Sequence, residues 1–400
     1  MVASLRSRLE SLLRGDARAM AEAEGQLFDS AADGRGDSIV LMGSGGLGRR
    51  ALAGLRRHGV EPLAFVDNSP SRQGTIVEGV RVLSPADAAR EFGSRAVFVV
   101  TIWGANSPHR FADSQRQMNA LGCDVVIPFP LLFWKYPEGT LPHYTQDLPH
   151  RVLDARSDVL RAGDLWEDDE SREEYLSQVR FRLLADFDGL AHPVKYPQYF
   201  PPDLFIWRDD EWIVDGGAYD GDSIRSLASV RGDEFGHVLA LEPDPANFVK
   251  LKETVALLPT SMRAKIDCRQ LALASEPGTL HLDAMGNASS STTASAGTGT
   301  IAVAAEPLDT MLAGAVPTYL KLDIEGAEPD ALAGARKTIV AHGPVLAICV
   351  YHRQDHLWSI PLMLHAMRDD YAFFLRPHNE EGWDLICYAV PRARLAGGNK

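Results

Sequence analysis

Short apolar runs alternate with stretches of helical periodicity along this chain, in two separate blocks. In the first, the run 38–42 leads through Gly43-Ser-Gly-Gly-Leu-Gly48 into a helix-compatible segment, 49–58. Apolar runs at 62–66, 96–102 and 123–127 follow, with a helical pattern (SPADAAREF) before the third run. Such alternation predicts a parallel sheet covered by helices. The second block begins at 211–214, continues at 237–241, 264–269, 319–322 and 344–350, and ends in two runs, 371–376 and 384–390, around a His-Asn-Glu-Glu-Gly turn. Between the blocks, residues 128–202 are rich in proline and carry an acidic run, 166–174, a pattern of helices joined by irregular connections. Residues 286–300 are drawn only from Gly, Asn, Ala, Ser and Thr and read as a mobile loop. The expectation is an α/β protein with two tandem Rossmann-like domains, 1–130 and 203–400, and a helical connector or cap over 131–202.

A chain of 400 residues accommodates two or three domains, and 45 % apolar with 24 % charged residues excludes wholesale disorder and collagen-like or disulfide-scaffold classes. The net charge of −14 counts against a nucleic-acid partner. Cys123, Cys268, Cys349 and Cys387 are far apart and form no CxxC pair, so reduced thiols in a reducing compartment are expected. No apolar stretch approaches the roughly 18 residues of a membrane span. The N-terminus interleaves Arg and Glu with Leu, as an amphipathic helix does and a signal peptide does not. A cytoplasmic protein without membrane insertion is expected, and its oligomeric state, including a homo-oligomer, stays open.

The sharpest motif is Val214-Asp215-Gly216-Gly217-Ala218-Tyr219-Asp220-Gly221-Asp222-Ser223. Glycines after a strand-end acid let the backbone pass close to a ligand. The acid comes first and the turn is longer than in GxGxxG, which suits a ligand without a pyrophosphate, such as S-adenosylmethionine. The next apolar run ends at Glu242, 27 residues after Asp215, where an acid can accept hydrogen bonds from both hydroxyls of a ribose. Either acid alone is more often an ordinary strand-end acid in a turn; the pair at this spacing favours a nucleoside. Lys321, Asp323, Glu325 and Glu328 then alternate through a strand and its exit, at the edge where ligands bind in parallel sheets. His352 ends the following run at the same edge and could take a proton from a hydroxyl, or merely pack on Tyr351. With His356 it could hold a metal beside Asp323 or Glu325, but no close HxH, ExxH or paired-Asp cluster supports this, and no metal is assigned.

The region 199–390 resembles the FkbM-type S-adenosylmethionine-dependent methyltransferases, through VDGGAYDGDS, LEPDPANFVKL, YLKLDIEGAE, VYHRQDHLW and YAFFLRPHNEEGWDLICYAV. The resemblance implies a class I sheet, mostly parallel with an antiparallel last strand. It also implies O-methylation of a hydroxyl on a sugar, glycan, glycolipid or secondary metabolite, in polysaccharide or natural-product biosynthesis. The family's cofactor motif falls on Asp215, Gly217 and Gly221, and its ribose acid on Glu242. Its KxDxEGxE motif falls on Lys321, Asp323, Glu325, Gly326 and Glu328, and Tyr199-Phe200 resembles a segment leading into the cofactor pocket. The cofactor contacts are expected from Asp215, Gly216, Gly217, Gly221, Glu242, Asp323 and Glu325. The candidate reacting groups are His352 first, then Asp323, with Lys321 beside them.

The first glycine turn fits GxGxxG on Gly43, Gly45 and Gly48, with Asp67 24 residues after Gly43. In isolation that is a dinucleotide fingerprint with the acid on a ribose. The block is about half of a full dinucleotide fold, and neither a Tyr-xxx-Lys pair nor a proton donor for hydride chemistry stands out. A small ligand, an unidentified nucleotide or a nucleotide-sugar, is the expectation there, with Thr101, Asn106 and His109 at a neighbouring strand end. An alternative reading makes the protein an NAD(P)- or nucleotide-sugar-binding protein whose second domain is regulatory; a third keeps the methyltransferase shape without catalysis.

Overall fold

The apolar runs of the first block form six strands: β1 (Ile39–Met42), β2 (Ala64–Val66), β3 (Ile76–Val77), β4 (Val80–Leu83), β5 (Val97–Val100) and β6 (Val126–Pro128). The computed structural model describes residues 4–105, 107–283, 292–293 and 300–397. The low-complexity stretch 286–300 lies outside the described residues except at 292–293 and 300, and Asn106 also lies outside them. The first sheet has the order β3-β4-β2-β1-β5-β6, and every pairing except β3 with β4 is parallel. That hairpin does not stand out in the apolar pattern. Its turn is Glu78-Gly79, with φ of 48° and 84°, the backbone a two-residue hairpin requires.

The second block supplies β7 (Trp212–Gly216), β8 (His237–Leu241), β9 (Ile266–Arg269), β10 (Ala272–Leu273), β11 (Gly278–Asp283), β12 (Thr292–Thr293), β13 (Thr300–Glu306), β14 (Tyr319–Leu322), β15 (Val345–Cys349), β16 (Tyr371–Pro377) and β17 (Leu385–Pro391). Seven of these form one sheet in the order β16-β17-β15-β14-β7-β8-β9. β17 alone runs against its neighbours, so the sheet is parallel with a reversed last strand, as the sequence led us to expect. A small second sheet, β10-β13-β11-β12, adds a hairpin that the sequence reading passed over.

The connector closes the edge of the large sheet. The helix Asp169–Leu184, capped by the Asp168 side chain on Ser171 N–H, packs on β16. Glu167 N–H donates to Phe373 O and Val194 N–H to Pro377 O, each at 2.9 Å. Buried Arg376 of β16 pairs with Asp168, so an edge that would otherwise offer free backbone groups is covered. The N-terminal helix Leu5–Leu12 also packs on the connector, and Ala17–Ala32 packs on the helices Phe129–Lys135 and His150–Asp154. A single apolar core runs from Leu9 through both large sheets to Val390.

Two glycines of the first domain illustrate different constraints. A Cβ on Gly48 would lie 1.9 Å from Gly43 O, so the helix Gly46–Arg57 can approach its turn only with glycine there. Gly34 has φ of 76° but no atom within 4 Å of such a Cβ. Gly48→Ala is expected to lower stability by upward of about 2 kcal/mol through the forced backbone shift. Gly34→Ala should lose about 1 kcal/mol, the strain of the left-handed conformation alone. Urea denaturation of both variants checks the difference; equal losses would contradict the packing argument.

Candidate functional site

The carboxyl ends of β7, β8, β14 and β15 converge on one cavity of about 890 Å3. Gly217, Tyr219, Asp222, Glu242, Asp323, Glu325, Tyr351 and His352 line it from the large sheet. The first sheet also presents its carboxyl edge: Gly46 and Leu47 after β1, and Trp103 after β5, line the opposite wall. Arg50, His143 and Tyr144 complete that side.

Each second-block motif takes a distinct place. Gly217, at φ of 75°, passes so close to β14 that a Cβ would sit 1.8 Å from Asp323 O. Behind this turn, the Lys321 ammonium is 2.9 Å from Asp215 Oδ1 and donates to Gly217 O at 2.6 Å. Burial works against that charge, but Asp215, Asp323 and Asp222 outweigh it and raise the Lys321 pKa. Ser223 Oγ donates to the other Asp215 oxygen. Asp215 and Lys321 are therefore spent on each other and on the turn, and neither is among the residues lining the cavity. Gly216 is pressed between Leu322 and Leu273, and Gly221 starts the helix Asp222–Arg231 at φ of 85°.

Glu242 does face the cavity. Its carboxylate accepts Tyr219 N–H and Asp244 N–H, both at 2.9 Å, which fixes its orientation. Burial pushes its pKa up to about 7. Leu241, Pro243, Leu271 and Leu273 give the adjoining wall an apolar surface. A carboxylate oriented for a diol, an apolar slot and a glycine cradle fit the nucleoside of S-adenosylmethionine.

The acids after β14 form a linked chain with His352. Glu328, fully buried, accepts Ile324 N–H at 2.9 Å and sits 2.8 Å from His352 Nδ1 and 3.3 Å from His356 Nδ1. His352 Nε2 lies 3.2 Å from Asp323 Oδ1 and 3.9 Å from Glu325 Oε2. Tyr199 O–H donates to Asp323 Oδ2 at 2.6 Å. Burial opposes the charged imidazole, but Glu328, Glu325 and Asp323 together raise the His352 pKa well above its usual value. Burial would also raise Asp323; its bond to His352 and the nearby positive charges instead bring it down to about 2. Glu325 lacks such support: burial, with the charges of Asp323, Glu328 and Asp384, pushes it up to about 8 despite His352. Asp384, bonded to Asn379, is raised to about 6, first by burial and then by Asp323. The neighbouring environments thus drive otherwise similar carboxyls far apart.

Of the ten non-glycine residues with positive φ among the described residues, Tyr144, Tyr219, Glu325 and Asp384 line this cavity. Strained backbone of this kind concentrates at functional sites. Sequence reasoning passed over Trp103, Tyr144, Tyr351 and Trp383 as a group. The ring pairs Trp103–Trp383 and Tyr144–Trp383 are each 4.5 Å apart. Trp103 lies two residues from Thr101 and six from His109, the strand-end residues that the sequence offers for a pocket. Those two serve the fold instead: Thr101 Oγ1 donates to Met42 O and Gly43 O, and His109 Nε2 meets Ser114 Oγ.

The first glycine turn forms as its spacing suggests, with Gly43 at φ of 116° and Gly45 at the N-cap of the helix Gly46–Arg57. Asp67, however, accepts Ser44 N–H at 3.1 Å, Ser44 O–H at 2.5 Å and Ser69 N–H at 2.9 Å. Its carboxylate is occupied by its own turns rather than presented to a ribose. Among the described residues, no group of three or more His, Cys, Asp or Glu side chains has the arrangement of a metal site, and no helix is long and apolar enough to cross a membrane.

Residues 215–375 match the model of a family described as the Methyltransferase FkbM domain. Among solved structures, the chain is similar to methyltransferase FkbM from Methylobacillus flagellatus KT, with a TM-score of 0.76 and 22% identity over 95% of this chain and 99% of that one. It also matches a putative rRNA-methylase from Clostridium thermocellum, with a TM-score of 0.31 and 8% identity over 46% of this chain and 89% of that one. A precorrin-6y C5,15-methyltransferase from Geobacter metallireducens GS-15 matches with a TM-score of 0.29 and 9% identity, over 49% and 98% of the two chains. Comparison with curated proteins finds no match.

Two stability outcomes follow from the geometry. Asp215→Asn leaves the buried Lys321 ammonium without its counter-charge and is expected to lower stability by about 3–5 kcal/mol in urea titrations. His352 carries a raised pKa, so its contribution is complete below pH about 6.5 and is lost as pH climbs through the folded value. The stability gap between the wild type and His352→Gln should therefore shrink between pH 6 and 9; a gap that widened would refute a charged His352.

Proposed function

We propose that this chain, whose residues 215–375 match the model of the Methyltransferase FkbM domain, is an S-adenosylmethionine-dependent O-methyltransferase acting on a hydroxyl of a sugar, glycan, glycolipid or secondary metabolite. The observation that carries the reading is the oriented Glu242 carboxylate beside the Gly217 cradle, at the edge of the cavity that also holds Asp323, Glu325 and His352. In this reading Glu242 holds the ribose hydroxyls, Gly217 admits the amino-acid end, and Leu271 and Leu273 face the adenine. The cofactor supplies an electrophilic methyl group, so the protein has to place a hydroxyl in line, exclude water and accept one proton.

Three groups near the reacting point are candidates for that proton. Asp323 is a weak base, held ionised down to about pH 2. His352, the first expectation from the sequence, already carries its proton between Glu328 and Asp323. Glu325, raised to about 8, lines the cavity and becomes able to take a proton as the pH climbs through that value. We assign proton acceptance to Glu325, with the His352 imidazolium as the positive charge that lets three carboxyls share the site. Asp323, braced by Tyr199 and His352, would orient the attacking hydroxyl. The Lys321 ammonium, expected beside the reacting groups, serves as a strut for the glycine turn. The NAD(P)-binding alternative is weakened, because Asp67 already accepts three hydrogen bonds from Ser44 and Ser69.

Calorimetry with S-adenosylmethionine and with NADH tests the first step: binding of the former, weakened about tenfold or more by Glu242→Ala, is expected, and binding of NADH alone would overturn the reading. For the proton, turnover should rise with pH through about 8. Glu325→Gln should remove that dependence together with most of the rate while sparing cofactor affinity. A variant that keeps both rate and profile would return the role to His352.

A further inference from the structure

The methyl-transfer reading uses one wall of the cavity and leaves the other unexplained. That second wall brings Trp103 from the first domain, His143 and Tyr144 from the connector, and Arg50 from the helix Gly46–Arg57. The Arg50 guanidinium donates to Thr140 O at 2.8 Å and to Pro142 O at 3.1 Å, which fixes its plane at the cavity surface. From the methyltransferase side Arg353, next to His352 and close to Gly326, also lines the cavity. Among the described residues neither guanidinium has a carboxylate partner, although acids outnumber bases in the chain and other arginines are paired. Burying half of Arg50 without a counter-ion is unfavourable, and an incoming anion would relieve it.

The two arginine-bearing walls meet where the Tyr144 and His352 rings come within 6.3 Å. Between them Tyr144 and Tyr351 lie parallel, 6.3 Å apart, and both border Trp383. Aromatic faces of this kind accept the apolar face of a ring, while Asp323, Glu325 and Asp384 accept its hydroxyl protons. An uncharged acceptor would satisfy the aromatic wall and the carboxyls but leave both guanidiniums unanswered.

We propose that the acceptor is anionic: a hydroxylated ring compound whose phosphate or carboxylate group is held by Arg50 of the N-terminal half and Arg353 of the C-terminal half. The inference rests on the methyl-transfer reading and assigns the N-terminal glycine-turn domain to acceptor recognition, in place of a second cofactor. The full chain would be incubated with S-adenosylmethionine carrying a 13C-labelled methyl group and a metabolite extract of its source cells. Labelled products would be passed over an anion-exchange resin before and after digestion with phosphodiesterase and alkaline phosphatase. Retention on the resin is expected; loss of retention after digestion identifies a phosphate, and its persistence a carboxylate. Arg353→Gln, on an exposed side chain, and Arg50→Lys, which keeps charge but loses the fixed fork, should each cut incorporation at limiting extract by about tenfold with unchanged S-adenosylmethionine affinity by calorimetry. A neutral labelled product, or incorporation by both variants equal to that of the wild type, overturns the inference. A chain that neither binds S-adenosylmethionine nor labels any product instead overturns the methyl-transfer reading beneath it.

Discussion

One ammonium group sets the terms for the rest of the site. Lys321 lies in the middle strand of the large sheet, 3 % exposed, where an isolated charge is not tolerated. Asp215 on the neighbouring strand answers it, and two glycine carbonyls take its remaining protons. These contacts draw the turn after β7 onto the exit of β14, which is why residue 217 has no room for a side chain. The same charge favours ionisation of Asp323, two residues on. The close turn at Gly217 and the ionised Asp323 are thus consequences of one buried pair.

The chain of acids beyond it obeys a second constraint. Asp323, Glu325, Glu328 and Asp384 cannot all be ionised within one small volume without a cation among them. His352 provides it by contacting Glu328 through one ring nitrogen and Asp323 through the other. Carboxyls in contact with the imidazolium stay charged, and those one step farther away hold their protons to higher pH. Proximity to a single ring therefore sorts chemically equivalent groups into fixed charges and a movable proton.

Much of this was legible in the sequence, for identifiable reasons. Strands buried on both faces announce themselves as unbroken apolar runs, so the two parallel-dominated sheets followed from pattern, and the reversed last strand from resemblance. Motif residues at strand ends, such as Gly217, Glu242 and Asp323, are local in the chain and were correctly gathered at one edge. What escaped was non-local. Whether Asp215 faces a ligand or Lys321 depends on which side of the turn its carboxylate emerges, and spacing is silent on that. The fingerprint offers Asp67 to a ribose because it counts residues and not the donors of Ser44 and Ser69 that the carboxylate accepts. The aromatic wall joins residues 103, 144, 351 and 383, too far apart in sequence for any motif to connect. The hairpins β3–β4 and β11–β13 were too short or too polar to register against the long runs around them.

The two sheets meet carboxyl edge to carboxyl edge, and the seam between them is fastened on one flank. Trp103 Nε1–H donates to Glu381 O at 3.1 Å, the Arg110 guanidinium pairs with Glu380 at 2.8 Å, and Phe111 N–H donates to the Glu381 carboxylate. All three bonds join the start of the helix Phe111–Ala120, or the loop before it, to the single turn that separates β16 from β17. Together with the shared apolar core, they hold the two walls of the cavity at a set spacing, so its width is fixed by the fold and not by the loops around it.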